Sequence, residues 1–243
     1  MLLDSHETKE KVLNEFLKIC VFEGWSEEAL IQALKNCQIS ENFAMLVFEN
    51  GLLELAEFYI EHQNQKSLAQ IQKIENFHQQ KIRDKIRLAL YARFEVEKDH
   101  KIALQRLVNF YTNPKNFTSF EKGPRPLLQA LSSCYKIADF IWKSINDQST
   151  DFNFYTKRAT LGKIILRTLF VFLKDEDEEL KKTKNFIDYE IEKVMKFEKL
   201  KGRAKNFSQA FQKTFCEFIL DEKGSPKSPK EIIKNLPFFR LIK

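Results

Sequence analysis

Apolar residues recur along this chain at intervals of three and four, which is the spacing of one buried helix face. The clearest case runs from Lys9 to Phe22, where apolar positions fall at i, i+1, i+4, i+5, i+8 and i+9. Gly24 ends this segment, and Ser26 is placed to cap the next helix. No run of six residues alternates convincingly between apolar and polar, so the pattern predicts an all-α protein.

The first three predicted helices are short and are separated by turns of three or four residues. The third is predicted from Ser40 to about Phe48, and Asn50-Gly51 then breaks the chain before a helix from Leu52 to Glu61. Three short helices in this order are typical of a helix-turn-helix unit, which we assign to residues 1–62.

Longer helices follow, and they predict a helical bundle over residues 63–203 that continues the same domain. A helical stretch with one break is expected from Ser67 to Val96, and Asp99 is expected to cap a helix that ends at Tyr111. After a loop rich in proline, three long helices are predicted over Leu127–Ile145, Phe152–Leu173 and Glu178–Lys201.

The segment 204–243 combines one more predicted helix, Asn206–Leu220, with a basic tail. An aromatic face beside cationic residues is typical of a helix that lies on a membrane surface, although a last helix packed on the bundle would have the same pattern. The residues expected to contact the membrane are Phe207, Phe211, Phe215, Phe218 and Ile219.

Charge is divided unevenly along the chain, whose formal net charge is +6. Residues 1–62 carry 12 acids and 4 bases, whereas residues 181–243 carry 16 bases and 8 acids. The helix in the recognition position of the first unit, Glu41–Phe48, contains no Lys or Arg, although DNA-binding helices depend on such contacts to phosphates. We therefore expect no nucleic acid partner.

Two E-x-x-H motifs, Glu75–His78 and Glu97–His100, deserve comparison with the half-sites of helical di-iron bundles. They lie 22 residues apart, which leaves no room between them for a further carboxylate helix, so we interpret them as surface salt-bridging residues. The chain also lacks a G-x-S-x-G motif and a glycine-rich phosphate loop. We predict no catalytic residue, no metal, no cofactor and no enzymatic activity.

Four widely spaced cysteines lie among apolar residues, which predicts buried thiols in a reducing compartment. No apolar run approaches the roughly 18 residues of a membrane span, and the first residues resemble neither a signal peptide nor a transit peptide. The expected location is therefore cytoplasmic, with peripheral contact to the inner face of the membrane.

The run from Ile141 to Ala159 resembles the signature of a known family in the string Asp147-Gln148-Ser149-Thr150-Asp151-Phe152-Asn153-Phe154-Tyr155-Thr156-Lys157-Arg158. The family is that of the lipid-binding accessory proteins of coenzyme Q (ubiquinone) biosynthesis, the ninth-numbered member of the eukaryotic coenzyme Q set. The likeness extends over most of Phe16 to Lys201.

The resemblance implies a TetR-like helical bundle of about ten helices that has lost DNA binding and forms a homodimer. It also implies that the protein binds an isoprenoid quinone intermediate, or a phospholipid, at an anionic membrane surface. The bound intermediate would be presented to demethoxyubiquinone hydroxylase. Two alternatives stay open, a ligand-responsive TetR-like transcriptional regulator and a general lipid-binding protein unconnected with quinones.

Two sets of candidate residues follow from this interpretation. The expected partner-binding residues are Asp139, Ile141, Phe154 and Arg158. At the position of Phe154, the family usually has Trp. Because Phe152 and Tyr155 share one helix face, Phe154 is expected to be exposed if that face is core; a buried corner that joins two helices is the alternative. The expected walls of the lipid pocket are Leu131, Tyr135, Ala138, Leu161, Ile165, Leu169, Ile187 and Ile191.

Overall fold

The structure, a computed structural model, describes residues 6–40, 43–113, 125–149 and 152–203. These ranges contain nine α-helices and no strand, so the all-α prediction is confirmed. The helices are α1 (His6–Glu23), α2 (Glu27–Asn36), α3 (Ala44–Val47), α4 (Leu52–Ile71), α5 (Ile82–Glu97), α6 (Lys101–Thr112), α7 (Arg125–Ser144), α8 (Phe152–Leu173) and α9 (Lys181–Arg203). The predicted helix Asn206–Leu220 and the five expected membrane-contact residues lie outside the described residues.

The chain divides into two compact units, and the boundary falls between Asp188 and Tyr189, within α9. The first unit contains α1 to α8 and the first two turns of α9. Among the described residues, no helix has both the length and the apolar composition that crossing a membrane requires.

The turn between α1 and α2 forms as the sequence predicts. Gly24 has a φ of +79°, and its N–H donates to the carbonyl of Cys20 at 2.9 Å, which ends α1. The Ser26 hydroxyl accepts a hydrogen bond from the Ala29 N–H at 3.2 Å, so the predicted N-cap is confirmed. Within the predicted helix Ser40–Phe48, the described residues that are α-helical are Ala44–Val47, which form α3.

Helix α4 continues ten residues beyond its predicted end at Glu61 and reaches Ile71. The predicted unit boundary at residue 62 therefore falls inside a helix. The continuation includes the polar residues Gln63, Asn64 and Ser67, which are all buried. Because these residues are polar, the sequence shows no apolar stripe here and the predicted helix ended too early, although the residues face the protein interior.

A buried polar network between α4 and α5 accounts for this polar stretch. Arg93 and Glu97, one turn apart on α5, form a buried ion pair, and the Tyr59 hydroxyl donates to the Glu97 carboxylate. Gln63 Nε2 also donates to Glu97 at 3.2 Å, and Arg93 Nε donates to Asn64 Oδ1 at 3.2 Å. The interpretation of Glu97 as a surface residue was wrong, because Glu97 is buried and two of its partners, Tyr59 and Gln63, lie on α4 more than 30 residues away in sequence.

The region around residue 99 also differs from the prediction. Lys98–His100 form a single 3-10 turn, and α6 begins at Lys101 with no side-chain cap. The prediction that Asp99 caps this helix was therefore wrong. The turn instead allows Lys98 to donate to the Glu178 carbonyl at 2.8 Å and Lys101 to donate to the Asp175 carbonyl.

A buried carboxylate connects the end of α8 to the start of α9. Asp175 accepts hydrogen bonds from the Thr183 N–H at 2.8 Å, the Thr183 hydroxyl at 2.7 Å and the Asp177 N–H at 3.2 Å. Burial opposes ionisation of Asp175, but these hydrogen bonds outweigh it and hold its pKa below the ordinary value. Asp175 therefore caps the first turn of α9, which begins at Lys181, three residues after the predicted start at Glu178.

Candidate functional site

The corner between α7 and α8 contains the sequence signature and most of the expected partner-binding residues. Asn146 has a φ of +60°, and its N–H donates to the Lys143 carbonyl at 3.0 Å. The next N–H, of Asp147, donates to the Trp142 carbonyl at 3.0 Å. Asparagine adopts this left-handed conformation more readily than most residues, so α7 ends in a defined turn that brings Asp147 towards α8.

Arg158 is the charged centre of the corner and is only 1% exposed. Its Nε donates to Asp139 Oδ1 at 2.6 Å, and its Nη1 lies 3.3 Å from Asp147 Oδ2. Nη1 also donates to the Phe154 carbonyl at 3.1 Å, one turn earlier on α8. A guanidinium held by two carboxylates from α7 and its C-terminal turn fixes the angle at which α8 leaves the corner.

The aromatic ring of Phe154 lies on this guanidinium. The Arg158 Cζ atom is 3.3 Å from the ring centroid, which is a close cation–π contact. Tyr155 packs edge-on against the same ring, with centroids 5.2 Å apart. Phe154 is half-buried and Tyr155 is 58% exposed, so the face that contains Tyr155 is not core and the condition for an exposed Phe154 is not met.

Asp147 is shared between two cations. Besides Arg158, it accepts a hydrogen bond from Lys157 Nζ at 2.8 Å and one from the Ser149 hydroxyl at 2.7 Å. Lys157 Nζ also lies 5.0 Å from the Trp142 ring centroid. Burial opposes ionisation, but the hydrogen bonds from Lys157, Ser149 and Arg158 hold the pKa of Asp147 below its ordinary value.

Asp139 has a similar environment at the last turns of α7. Its carboxylate binds Arg158 through Oδ1 and the exposed Lys143 through Oδ2, the latter at 2.7 Å. Burial again works against the charged form, but hydrogen bonds from Arg158 and Lys143 lower the pKa of Asp139. Both carboxylates of the corner are therefore anions at neutral pH.

The expected partner-binding residues thus lie together but do not share a surface. Ile141 and Arg158 are buried, whereas Asp139 and Phe154 are half-buried. Of the aromatic side chains whose exposure the structure describes at the corner, Tyr155 is the exposed one, and the sequence reasoning did not select it. Helical spacing alone could not identify it, because the choice depended on which face α8 turns to the core.

The expected lipid-pocket walls are divided among different environments. Ala138, Leu161 and Ile165 are buried residues of α7 and α8, and Ile187 and Ile191 are buried residues of α9. Leu131 and Leu169 are half-buried, and Tyr135 is 36% exposed. A Cβ added at Gly162 would lie 3.4 Å from the Cys134 carbonyl oxygen, so the backbones of α7 and α8 approach closely at this level.

A groove between α4 and α7 encloses about 280 Å³ and lies elsewhere. Its lining includes Glu57 and Glu61 of α4 and Ser133 and Lys136 of α7, and it contains none of the expected lipid-contact residues. Glu57 binds Lys136 across the groove at 3.0 Å. Phe58 and Ile60 add apolar side chains to this lining, so the groove is mixed in character and distinct from the pocket expected from the sequence.

Three of the four cysteines lie in the part of the chain that the structure describes. Cys20 and Cys134 are buried, as predicted, and Cys37 is half-buried. Burial raises the pKa of the Cys20 and Cys134 thiols to about 12, so both are protonated and weakly nucleophilic at neutral pH.

The chain is similar to known proteins, and one family model matches the segment that contains the corner. The family model described as COQ9 matches residues 127–198, which run from the first turn of α7 into α9. The probable ubiquinone biosynthesis protein coq9, mitochondrial, of Dictyostelium discoideum is 25% identical over 201 residues, covering 81% of this chain and 62% of that protein.

Two further relatives have the same kind of name. The human ubiquinone biosynthesis protein COQ9, mitochondrial, is 23% identical over 189 residues, covering 78% of this chain and 58% of the relative. The Schizosaccharomyces pombe protein coq9 is 22% identical over 201 residues, covering 83% of this chain and 75% of the relative. The chain spans about three fifths of the length of the first two relatives.

Proposed function

Because this chain carries a COQ9 family domain over residues 127–198, as its signature predicted, we propose that it is an accessory protein of ubiquinone biosynthesis. In this proposal the protein has a TetR-like fold, binds an isoprenoid quinone intermediate and presents it to demethoxyubiquinone hydroxylase. It performs no catalysis itself. The observation that carries the proposal is the position of the α7–α8 corner, whose aromatic pair lies inside the matched domain.

The corner has the features of a small protein-docking site. Tyr155 is exposed, Phe154 is half-buried beside it, and Asp139 and Lys143 provide charged groups at the edge. Interfaces concentrate their binding energy in such aromatic anchors surrounded by polar groups. We therefore assign hydroxylase binding to this corner, with Phe154 and Tyr155 as the contact residues.

Lipid binding is the second part of the proposal. Partly exposed apolar side chains occur on both helices of the corner, with Leu131 and Tyr135 on α7 and Leu169 and Phe170 on α8. An isoprenoid chain gains roughly 0.8 kcal/mol for each CH₂ group removed from water. The proposed ligand is an isoprenoid quinone precursor or a phospholipid that covers these side chains.

The proposal also includes a homodimer at an anionic membrane surface. Contact with the membrane is assigned to the predicted helix Asn206–Leu220, which lies outside the described residues. The test is flotation with liposomes that contain anionic lipid, using Phe211→Asp and, as a control on the described surface, Phe22→Asp. The proposal requires that only Phe211→Asp reduces flotation.

The central experiment measures binding to purified demethoxyubiquinone hydroxylase by biolayer interferometry. Phe154→Ala removes an anchor from the corner. The control is Phe22→Ala, which removes a phenylalanine that is 81% exposed at the end of α1, more than 100 residues before the corner in sequence. Truncating a central aromatic anchor typically costs 2 kcal/mol or more, so Phe154→Ala should weaken binding by about thirtyfold. Equal affinities for the two variants would contradict the assignment.

Lipid binding is tested separately by native mass spectrometry of the protein purified with its bound lipids. An isoprenoid or phospholipid adduct should be present in the parent protein, and Tyr135→Asp together with Leu169→Asp should reduce it. A protein that retains no lipid after gentle purification would count against this part of the proposal while leaving the docking measurement intact.

A further inference from the structure

We propose that Asp147 and Arg158 are positioning residues, which hold the Phe154 ring in the orientation that the partner binds. This inference rests on the proposed function, because it gives the docking corner an internal support. It changes the role of Arg158 from a predicted contact residue to a buried platform. It also adds Asp147, which the sequence reasoning did not select.

The first step is the burial of the charged groups. Arg158 is 1% exposed and the side chain of Asp147 is 5% exposed, so neither can form much of a contact surface for another protein. Their polar atoms are occupied within the corner, by Asp139, Asp147 and the Phe154 carbonyl for Arg158. Residues of this kind influence binding through the side chains that they support.

The second step is the contact between the guanidinium and the ring. The Arg158 Cζ atom lies 3.3 Å from the Phe154 centroid, so the two planar groups are in van der Waals contact. The position of the ring therefore depends on the plane of the guanidinium. That plane is fixed at two points, Nε on Asp139 and Nη1 on Asp147.

The third step separates Asp147 from Asp139. Asp139 is partly exposed and also binds Lys143, so a substitution there would alter the surface that a partner meets. Asp147 follows the left-handed turn at Asn146, and its carboxylate points inward to Lys157 and Arg158. Replacing Asp147 with Asn changes a side chain that is itself only 5% exposed and keeps its shape, but it removes the charge that holds Arg158 and the partly exposed Lys157.

Loss of that charge should weaken the hold on one end of the guanidinium. Arg158 would keep its hydrogen bonds to Asp139 and to the Phe154 carbonyl, but its Nη1 would lose the carboxylate that fixes it from the turn after α7, and the platform under Phe154 would become less rigid. A side chain that must be immobilised on binding costs a modest free energy, so we expect affinity for the hydroxylase to fall about threefold to tenfold in Asp147→Asn.

The experiment is a double-mutant cycle in the full-length chain, with hydroxylase affinity as the readout. The variants are Asp147→Asn, Phe154→Ala and the pair together, and Asp188→Asn serves as a control for removing an aspartate that binds Arg87 elsewhere. If Asp147 acts through Phe154, its substitution weakens binding in the parent protein but has no further effect in Phe154→Ala. Equal weakening in both backgrounds, or none in the parent, would overturn the proposal.

A second measurement does not depend on the hydroxylase. NMR spectra of the protein with labelled phenylalanine report the chemical shifts of the Phe154 ring, assigned with the Phe154→Ala variant. These shifts should move in Asp147→Asn and stay unchanged in Asp188→Asn. An unmoved ring would reject the positioning role even where binding is lost, whereas a moved ring with no hydroxylase binding in any variant would reject the proposed function alone.

Discussion

Replacing Asp175 should destabilise the protein by an amount that can be estimated from its hydrogen bonds. The carboxylate is 1% exposed and accepts three hydrogen bonds, two from Thr183 and one from the Asp177 N–H. Hydrogen bonds to a charged group contribute about 1.5–3 kcal/mol each, and they are not additive around one carboxylate. Asp175→Asn keeps one acceptor oxygen and turns an amide N–H₂ towards a donor, so we expect a loss of about 2 kcal/mol. Asp175→Ala removes all three hydrogen bonds and should cost about 4 kcal/mol.

Urea unfolding followed by far-UV circular dichroism measures this loss, with the exposed Glu176→Gln as the matched control from the same loop. The pH dependence provides a second check, because the folded-state pKa of Asp175 lies below its unfolded value of about 3.9. The stabilisation is complete above the unfolded pKa and is lost as pH falls through the folded pKa. The difference between parent and Asp175→Asn should therefore shrink on acidification below pH 4. A difference under 0.5 kcal/mol at pH 7 would refute the reasoning, as would one that does not change with acid.

Three further substitutions test other parts of the fold. Ser26→Ala removes the N-cap of α2 and should lower the free energy of unfolding by about 1 kcal/mol, measured in urea, whereas Ser26→Asp should retain most of it. Arg93→Met leaves Glu97 as an unpaired buried charge and should cost about 3–5 kcal/mol, and the double variant with Glu97→Leu should recover part of that loss; no recovery would contradict the pairing. Burial lowers the pKa of His62 and of His100, so stability is complete above the unfolded value of about 6.5 and falls as pH drops below it. In the double variant His62→Gln/His100→Gln, the midpoint of thermal unfolding should depend less on pH between pH 7 and 5. An unchanged pH dependence would show that these histidines are not its cause.

The helices whose buried face is apolar could be read from the sequence alone. Helix α8 spans Phe152–Leu173, as predicted, because its long apolar stripe lies between turn residues at both ends. The Ser26 cap could also be predicted, because a capping hydroxyl accepts a hydrogen bond from an N–H only three residues away. Such local determinants need no knowledge of the rest of the chain.

The errors arose where a polar residue has its partner far away in sequence. Helix α4 was predicted too short because Gln63 and Asn64 look like solvent-facing residues until Glu97 and Arg93 are brought against them. The same network hid the burial of Glu97, which a period-based reading assigns to the surface. Local sequence indicates that a polar side chain prefers water, but it does not show the distant hydrogen-bond partner that compensates its burial.

The candidate corner was located by its signature and incompletely described by it. The string from Asp147 to Arg158 marked the right segment, but Arg158, which was expected at the contact surface, is buried, and Tyr155, which was not selected, is exposed. The reason is that Arg158, a charged residue, lies on the inner side of the first turns of α8. Hydrophobic periodicity assumes that charged side chains face water, and here two aspartates replace that water.

Gly162 restricts the path that the proposed lipid tail could take between α7 and α8. At its level, the main chain of α8 sits so near the Cys134 carbonyl that the gap admits one methyl group and nothing thicker. A prenyl chain that passed between α7 and α8 at this level would have to separate the two helices. A lipid tail of the kind proposed above would therefore have to pass the level of Gly162 along one side of the helix pair, and not between the two backbones.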